Sequence, residues 1–346
     1  VKLAIVLFNL GGPDSPEAIE PFLFNLFNDK AIIGAPQPIR WMLARYISSK
    51  RAPVAEEIYS HLGGKSPLLK LTEEQGEALK ASVSREMGET VEVETFTCMR
   101  YWRPMSDECA VQVKNFDPDQ VVLLPLYPQF STTTSESSLK DWDKAAKKVG
   151  LTAKTNKVCC YPTNEGFVSA VADLLRPQIE EVSHIGKPRV LFSAHGLPKK
   201  IVERGDPYQW QVEQTATAVV EQLKIDTLDW WVSYQSRVGP LEWIGPDTED
   251  EIVRAGKENV PLIVVPIAFV SEHSETLVEL DIEYRELAQK QGVPAYFRTP
   301  AVGTHPLFID GLRDLVVSHV AHNYDTRPEG GQRLCPQKHS RCICKG

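Results

Sequence analysis

LFSAHGLPKKIVERGDPY at 191–208 and PIAFVSEHSETLVELDIEY at 266–284 decide the reading of this chain. Each starts in an apolar β-type run, RVLFSA or LIVVPIAFVS, and breaks into a polar segment carrying a Ser-x-His triplet. The triplets are Ser193-Ala194-His195 and Ser271-Glu272-His273. A strand that runs straight into an ionisable group delivers it to the carboxyl edge of a sheet, where ligands bind in open α/β folds. A helical pattern follows the second triplet, with Glu272, Glu275, Glu279, Glu283 and Glu286 three and four residues apart. That spacing predicts five carboxylates on one helix face, at roughly 0.2–0.5 kcal/mol of repulsion per neighbouring pair. A solvated face is the usual origin of such a run. A start beside a histidine at a strand end points instead to passage of cations or protons.

Working outward, short apolar segments alternate with helical ones almost throughout, which predicts an α/β fold with doubly wound parallel sheets. Strands are expected at 2–10, 91–99, 120–127, 155–161, 189–194, 229–236, 261–270 and 294–300, with helices at 71–87, 165–182, 209–223 and 306–322. A chain of 346 residues suits two domains, drawn here at 1–160 and 161–322, followed by a tail at 323–346. The helix at 306–322 is expected to pack back on the first domain. A net charge of −8 argues against a nucleic-acid partner, which needs a basic stripe. VPLIVVPIAFV at 260–270 is far shorter than the about 20 apolar residues of a membrane span. The opening strand without a signal peptide, together with seven cysteines, suggests a reducing, cytoplasmic setting. NLGGPDS at 9–15 lacks the third glycine of a dinucleotide loop, so that reading is poor.

The ordered set FNLGGPDS (8–15), YSHLGGKSP (59–67), RYWRP (100–104), LYPQFSTTTSESS (126–138), SAHGLP (193–198), RGDPY (204–208), QSRVGPLEWIGP (235–246) and SEHSETLVELD (271–281) closely resembles ferrochelatase. The likeness covers roughly residues 3–320 and is of the bacterial type. It implies two Rossmann-like domains with the active-site cleft between them, and insertion of Fe(II) into protoporphyrin IX to form protohaem. That reaction needs iron stripped of water, a bent macrocycle and a base for two pyrrole protons. An imidazole, with an ordinary pKa near 6.5, is largely neutral at cytoplasmic pH and suits the task. The resemblance makes His195 the proton acceptor, Glu275 its partner across the cleft, His273 and Glu272 the flanking groups and Glu279 the next step toward solvent. His195 and Glu275 are also a reasonable transient site for the substrate Fe2+. A core histidine and a solvated acidic face are the plainer readings of these residues.

By the same resemblance, Gly11 and Gly12 let the backbone approach a large flat ligand. Asn9, Leu10, Arg100 and Tyr127 line the porphyrin cleft, Arg51, Tyr59 and Ser66 contact propionates, and Trp243 and Phe269 pack against the ring. Leu10 cannot ligate a metal, and its apolar character favours protoporphyrin. The aromatics read equally well as ordinary core. Residues 30–51 interleave Ile32, Ile33, Ile39, Trp41, Met42, Leu43 and Ile47 with Arg40, Arg45, Lys50 and Arg51. This resembles the family's hydrophobic lip, a peripheral contact with the inner membrane; a helix packing on its own domain is the other reading.

Cys335, Cys342 and Cys344 fall within ten residues of a polar tail, a spacing that differs from the C-x2-C pair of a zinc ribbon. The tail resembles that of the cluster-bearing members, which implies a [2Fe-2S] cofactor held by these three thiolates and one from the domain boundary. Cys159 and Cys160 are adjacent there; alternation along a strand leaves one of them as ligand, and Cys160 is chosen. Zinc on the same thiols, with His339, is the competing site. A coproporphyrin ferrochelatase, a related cobalt chelatase and a non-catalytic two-lobed haem- or metal-binding protein are the rival functions. A homodimer is compatible with the resemblance.

Overall fold

The computed structural model describes residues 1–237, 239, 241–322 and 324–344. Val238 and Pro240 of the 235–246 stretch, and Asn323, Lys345 and Gly346 of the tail, lie outside the described residues. Among the described residues the strands are β1 (Lys2–Asn9), β2 (Glu92–Met99), β3 (Gln120–Pro125), β4 (Lys154–Val158), β5 (Arg189–His195), β6 (Asp229–Gln235), β7 (Leu262–Pro266), β8 (Tyr296–Arg298) and β9 (Thr326–Arg327). They form a five-stranded sheet, β2-β1-β3-β4-β9, and a four-stranded sheet, β6-β5-β7-β8. Every strand pair is parallel, as the alternation of strand and helix predicts. Central strands of such sheets are covered on both faces and therefore read as continuous apolar runs. KLAIVLFN of β1 is buried from Leu3 to Asn9, and β5 from Arg189 to Ala194.

The chain divides into two compact units. One holds residues 1–127, 131–159 and 313–332 with the five-stranded sheet; the other holds 128–130, 160–312 and 333–346 with the four-stranded sheet. The helix Pro306–His322 contributes residues to both. In each sheet the strand order reverses at one strand, β1 in the first and β5 in the second. The carboxyl end of the strand at such a reversal opens a crevice, because its neighbours' connections leave in opposite directions. Asn9 ends β1 and His195 ends β5.

Three local expectations are corrected. The run 261–270 is a strand only over Leu262–Pro266, since Pro266 offers no N–H and the Phe269 amide turns back onto its carbonyl at 3.2 Å. β4 stops at Val158, so Cys159 and Cys160 follow the strand and the alternation argument does not apply to them. The acidic helix is wound as a π-helix over Glu275–Glu283 and becomes α-helical only at Tyr284–Lys290. π-winding is rare and concentrates at functional sites. Its apolar side, with Leu280, Tyr284 and Ala288, packs on Leu191 of β5 and on Leu262 and Val264 of β7.

Candidate active site

His195 and Gln235 are register partners at the ends of β5 and β6, and the 271–275 segment follows β7. Three strand ends of one sheet therefore deliver their polar residues to one place. His195 Nδ1 lies 2.7 Å from Glu275 Oε2. The two groups belong to the same unit and touch directly, where the resemblance had set them facing across a cleft. Ser236 Oγ donates to Glu279 Oε2 at 2.6 Å and lies 3.2 Å from Glu275 Oε2. The Ser236 amide also donates to Glu279 Oε1 at 3.0 Å, and Tyr284 OH to the same oxygen at 3.1 Å. Gln235 Nε2 reaches Glu279 Oε2 at 3.3 Å, while Ser193 Oγ donates to the Gln235 carbonyl oxygen at 2.7 Å. The Tyr208 hydroxyl, donating to the His195 carbonyl at 3.1 Å, fixes the backbone beneath the imidazole.

The electrostatics sort the two acids. Burial would raise the Glu275 carboxyl, but His195 beside it outweighs burial and holds it at about 2. Burial and the Glu275 charge together push Glu279 up to about 7. Desolvation works against a charge on His195, yet its side chain keeps 42% of its surface exposed and Glu275 raises its pKa. The imidazole is thus more basic than its ordinary value suggests. Its Nε2 has no hydrogen-bond partner among the described residues.

The other acids and the second histidine are placed differently. Glu272 is turned to Arg298 at 2.5 Å and to the Ala301 amide at 2.9 Å, away from His195. Glu283 and Glu286 are exposed, so the five carboxylates do not share a face. Glu272 precedes the helix, Glu286 lies in its α-helical part, and only Glu275, Glu279 and Glu283 are π-wound, so no single helical spacing relates the five. His273 is buried against Phe269, with ring centroids 4.5 Å apart, and burial lowers its pKa. Its Nδ1 accepts the Thr276 amide at 3.4 Å, which marks a neutral ring capping the π-helix. Trp243 is half-buried over Gly196, one residue from His195.

In the first unit, Asn9 is buried and spends its side chain on Thr72 and on the Leu10 amide, at 3.1 and 2.9 Å. Leu10 and Tyr59 join Ile19, Phe22 and Tyr101 in one apolar cluster. A Cβ on Gly12 would stand 2.5 Å from Ser66, and Gly11, at φ +85, packs on Trp102; the glycine pair serves internal packing. Arg100 is not free for a ligand. Its Nη2 meets Asp29 Oδ2 at 2.8 Å, its Nη1 meets Asp141 at 3.5 Å and its Nε donates to Ser137 at 2.8 Å. Tyr127 is half-buried, with its pKa pushed up by burial. Arg51 is exposed, 6.0 Å from the Phe27 ring.

All seven cysteines are buried, and none is in a disulfide among the described residues. Gln211 Nε2 donates to Cys160 Sγ at 3.4 Å and to Cys335 Sγ at 3.1 Å, so the boundary and tail sulfurs meet over one amide. A hydrogen bond from the Cys335 thiol holds Cys342 at about 7 against burial. The Cys344 amide points at the same Cys342 sulfur. Arg333 folds the tail by donating to the carbonyls of Cys335 at 3.0 Å and His339 at 2.9 Å. His339 lies against Trp210, centroids 5.7 Å apart. Among the described residues no three His, Cys, Asp or Glu side chains are gathered to hold one metal ion.

Sequence reasoning missed Gln235, Ser236, Asp281, Arg298, Asp29 and Gln211. Ser236 was within reach, because DWWVSYQS is a third apolar run ending in polar residues. The others act through contacts distant in sequence and carry no local signal.

The family profile Ferrochelatase matches residues 2–320. The chain is 53% identical over 344 residues to a ferrochelatase of Caulobacter vibrioides, covering 99% of this chain and 98% of that one. It is 52% identical over 345 residues to the ferrochelatase of Phenylobacterium zucineum, covering 100% and 98%. Among solved structures, SirB from Bacillus subtilis with Fe3+ aligns with a TM-score of 0.54 at 11% identity, over 94% of this chain and 99% of that one. That likeness shows a shared chelatase-like fold. On the profile match and the full-length identity, the chain belongs to the ferrochelatase family.

Proposed function

We propose that this chain inserts Fe(II) into protoporphyrin, with the His195 imidazole taking the pyrrole protons under the control of Glu275. The single observation that carries the reading is the 2.7 Å contact between the two at the strand-order reversal. A carboxylate against Nδ1 requires that nitrogen to bear the hydrogen, which leaves the Nε2 lone pair as the base. Each pyrrole N–H breaks heterolytically; its electron pair stays on nitrogen to bind iron, and the proton goes to Nε2. Two protons must leave per turnover. Glu279, at about 7 and linked to Glu275 through Ser236, suits a proton that is taken up and given back near neutral pH. His195 and Glu275 also offer one nitrogen and one oxygen donor to the incoming Fe(II). Glu272 and His273 support the π-helix and are withdrawn from the proton path.

Protoporphyrin carries two vinyl groups where coproporphyrin carries two further propionates, and the apolar cluster of Leu10, Tyr59 and Tyr101 at the end of β1 favours the former. Arg51 is retained as a propionate partner because it is exposed and has no ion pair among the described residues. Arg100 is already matched by two carboxylates. The lip supports attachment to a membrane surface, with Trp41 50%, Met42 66% and Ile39 54% exposed. No described helix is long and apolar enough to cross a membrane.

The donor set of Cys160, Cys335, Cys342 and Cys344 suits a [2Fe-2S] cluster: four buried sulfurs, three of them linked through Gln211 and the Cys335–Cys342 contact. Such a group would supply one-electron redox chemistry or structural cross-linking. No step of metal insertion needs it.

The test is His195→Ala. Porphyrin binding, followed by fluorescence quenching, should persist while anaerobic insertion of Fe(II) is abolished. Near-normal turnover would remove His195 from the mechanism. The same assay run with protoporphyrin and coproporphyrin decides the substrate.

A further inference from the structure

Glu272 and Asp281 are nine residues apart and share one guanidinium. Arg298 Nη1 meets Glu272 Oε1 at 2.5 Å, its Nε donates to Asp281 Oδ2 at 3.0 Å, and its Nη2 reaches the same Asp281 oxygen. Glu272 precedes the π-helix Glu275–Glu283 and Asp281 lies within it. The Arg298 fork therefore ties the entry of the π-helix to its body.

The clamp is rooted in the sheet. Arg298 ends β8, and its carbonyl accepts Gln178 Nε2 at 3.1 Å from the helix Glu165–Ser183. The neighbouring Thr299 Oγ1 donates to Gln178 Oε1 at 2.6 Å. The Arg298 side chain is only 9% exposed, against 21% for that of Glu272 and 27% for that of Asp281. Thr276 Oγ1 donates to the other Glu272 oxygen, and Arg285 lies 3.3 Å from Asp281 Oδ1. Glu275 and Glu279 point elsewhere, to His195 and Ser236.

We propose that Arg298 is a positioning residue of metal insertion, whose fork across Glu272 and Asp281 fixes the entry and the body of the π-helix against β8 and so aims Glu275 and Glu279 at His195 and Ser236. The inference rests on the reading of His195 and Glu275 given above. Lysine keeps the charge but cannot span two carboxylates with a planar fork. Release of the fork would free both acids to shift relative to His195, and a displacement near 1 Å costs on the order of a hundredfold in rate.

The experiment uses the full chain carrying Arg298→Lys and, because a buried arginine can be needed for folding, Asp281→Asn, which leaves the Arg298–Glu272 pair intact. Two quantities are read: kcat and KM for porphyrin, and the titration midpoint of Glu279, followed by infrared as the carboxyl band missing from Glu279→Gln. Both variants should lose kcat by on the order of tenfold to a hundredfold. KM should hold within about twofold, since the porphyrin contacts are untouched. The Glu279 midpoint should move down toward an ordinary carboxylate as it parts from Glu275. A variant that melts earlier but keeps kcat and the Glu279 midpoint would overturn the proposal and leave Arg298 a fold-stabilising residue. Failure of the proton-acceptor reading shows separately, as turnover that survives His195→Ala, and the infrared midpoint still reports on the clamp.

Discussion

At the residue scale the informative contrast is between Glu275 and Glu279. They are the same side chain four residues apart, yet one is held at about 2 and the other pushed up to about 7. His195 faces the first; burial and the first acid's charge act on the second. The protons belong to the coupled set as much as to either acid. For Glu279 the folded pKa exceeds the unfolded value of 4.5, so the native state keeps a proton that the unfolded chain has released. Its contribution to stability is complete below 4.5 and is lost as pH rises through about 7. Glu275 behaves in the opposite sense: its contribution is present above 4.5 and lost as pH falls toward 2. Glu279→Gln, which mimics the protonated form, should therefore flatten the decline of stability between about pH 5 and about pH 7.5, a difference on the order of 2 kcal/mol. Calorimetry at the two pH values checks this. Parallel declines in the variant and the parent protein would mean that Glu279 titrates as an ordinary surface acid.

At the scale of elements, the helix Gln37–Ser60 shows how burial redirects a reading of sequence. Its first turns leave Trp41, Met42 and Tyr46 exposed, while Ala44, Ser48, Ala52 and Tyr59 form its buried face. Small residues thus pack inward and large apolar ones face out, the reverse of an ordinary surface helix. Trp41 meets the edge of Phe24, with ring centroids 6.1 Å apart. Two clamps shape the turn before this helix. Asp29 accepts the Ala31 amide at 2.8 Å, and Arg40 donates to the Asn28 and Ala35 carbonyls at 2.9 and 2.8 Å. A preformed apolar lip with Lys50 and Arg51 beyond it suits an anionic bilayer surface. Replacing Trp41 and Leu43 together by serine should lower recovery with anionic liposomes in flotation by at least about tenfold, given roughly 1.5–3 kcal/mol per buried large apolar side chain. Equal recovery of both proteins would assign the lip another partner.

For the whole molecule, the tail is where folding and the proposed cluster meet. Residues 333–344 belong to the second unit and rest on the 205–211 segment. The Arg341 amide donates to the Gly205 carbonyl at 3.1 Å, and Gln211 bridges two sulfurs. These few polar contacts and four thiols replace an apolar core. Where metal ligation carries the ordering of such a segment, removing one ligand unfolds it. Cys344→Ser should bleach the visible absorption expected of a [2Fe-2S] centre and make the tail protease-sensitive, with the His195 site intact. Visible spectra, iron analysis and limited proteolysis measure this together. Colourless parent protein with stoichiometric zinc, grown with ample iron and kept from air, would overturn the cluster and leave the ferrochelatase assignment standing.

Much of this was legible in residues alone. Continuous apolar runs in β1, β5 and β7 announce parallel strands covered on both faces, and abrupt polar endings at His195 and Ser271 announce a sheet edge. The alternation with helices determined the α/β class. Tertiary structure alone decided which acids reach the histidine. Helical spacing treats the five glutamates alike, because local sequence does not encode whether a segment winds as α or π. The segment is held from outside by Arg298, reaching across from β8 to carboxylates 17 and 26 positions away. The pKa values split for the same reason: burial and a facing charge are properties of assembled neighbours, and no pattern in the chain states them.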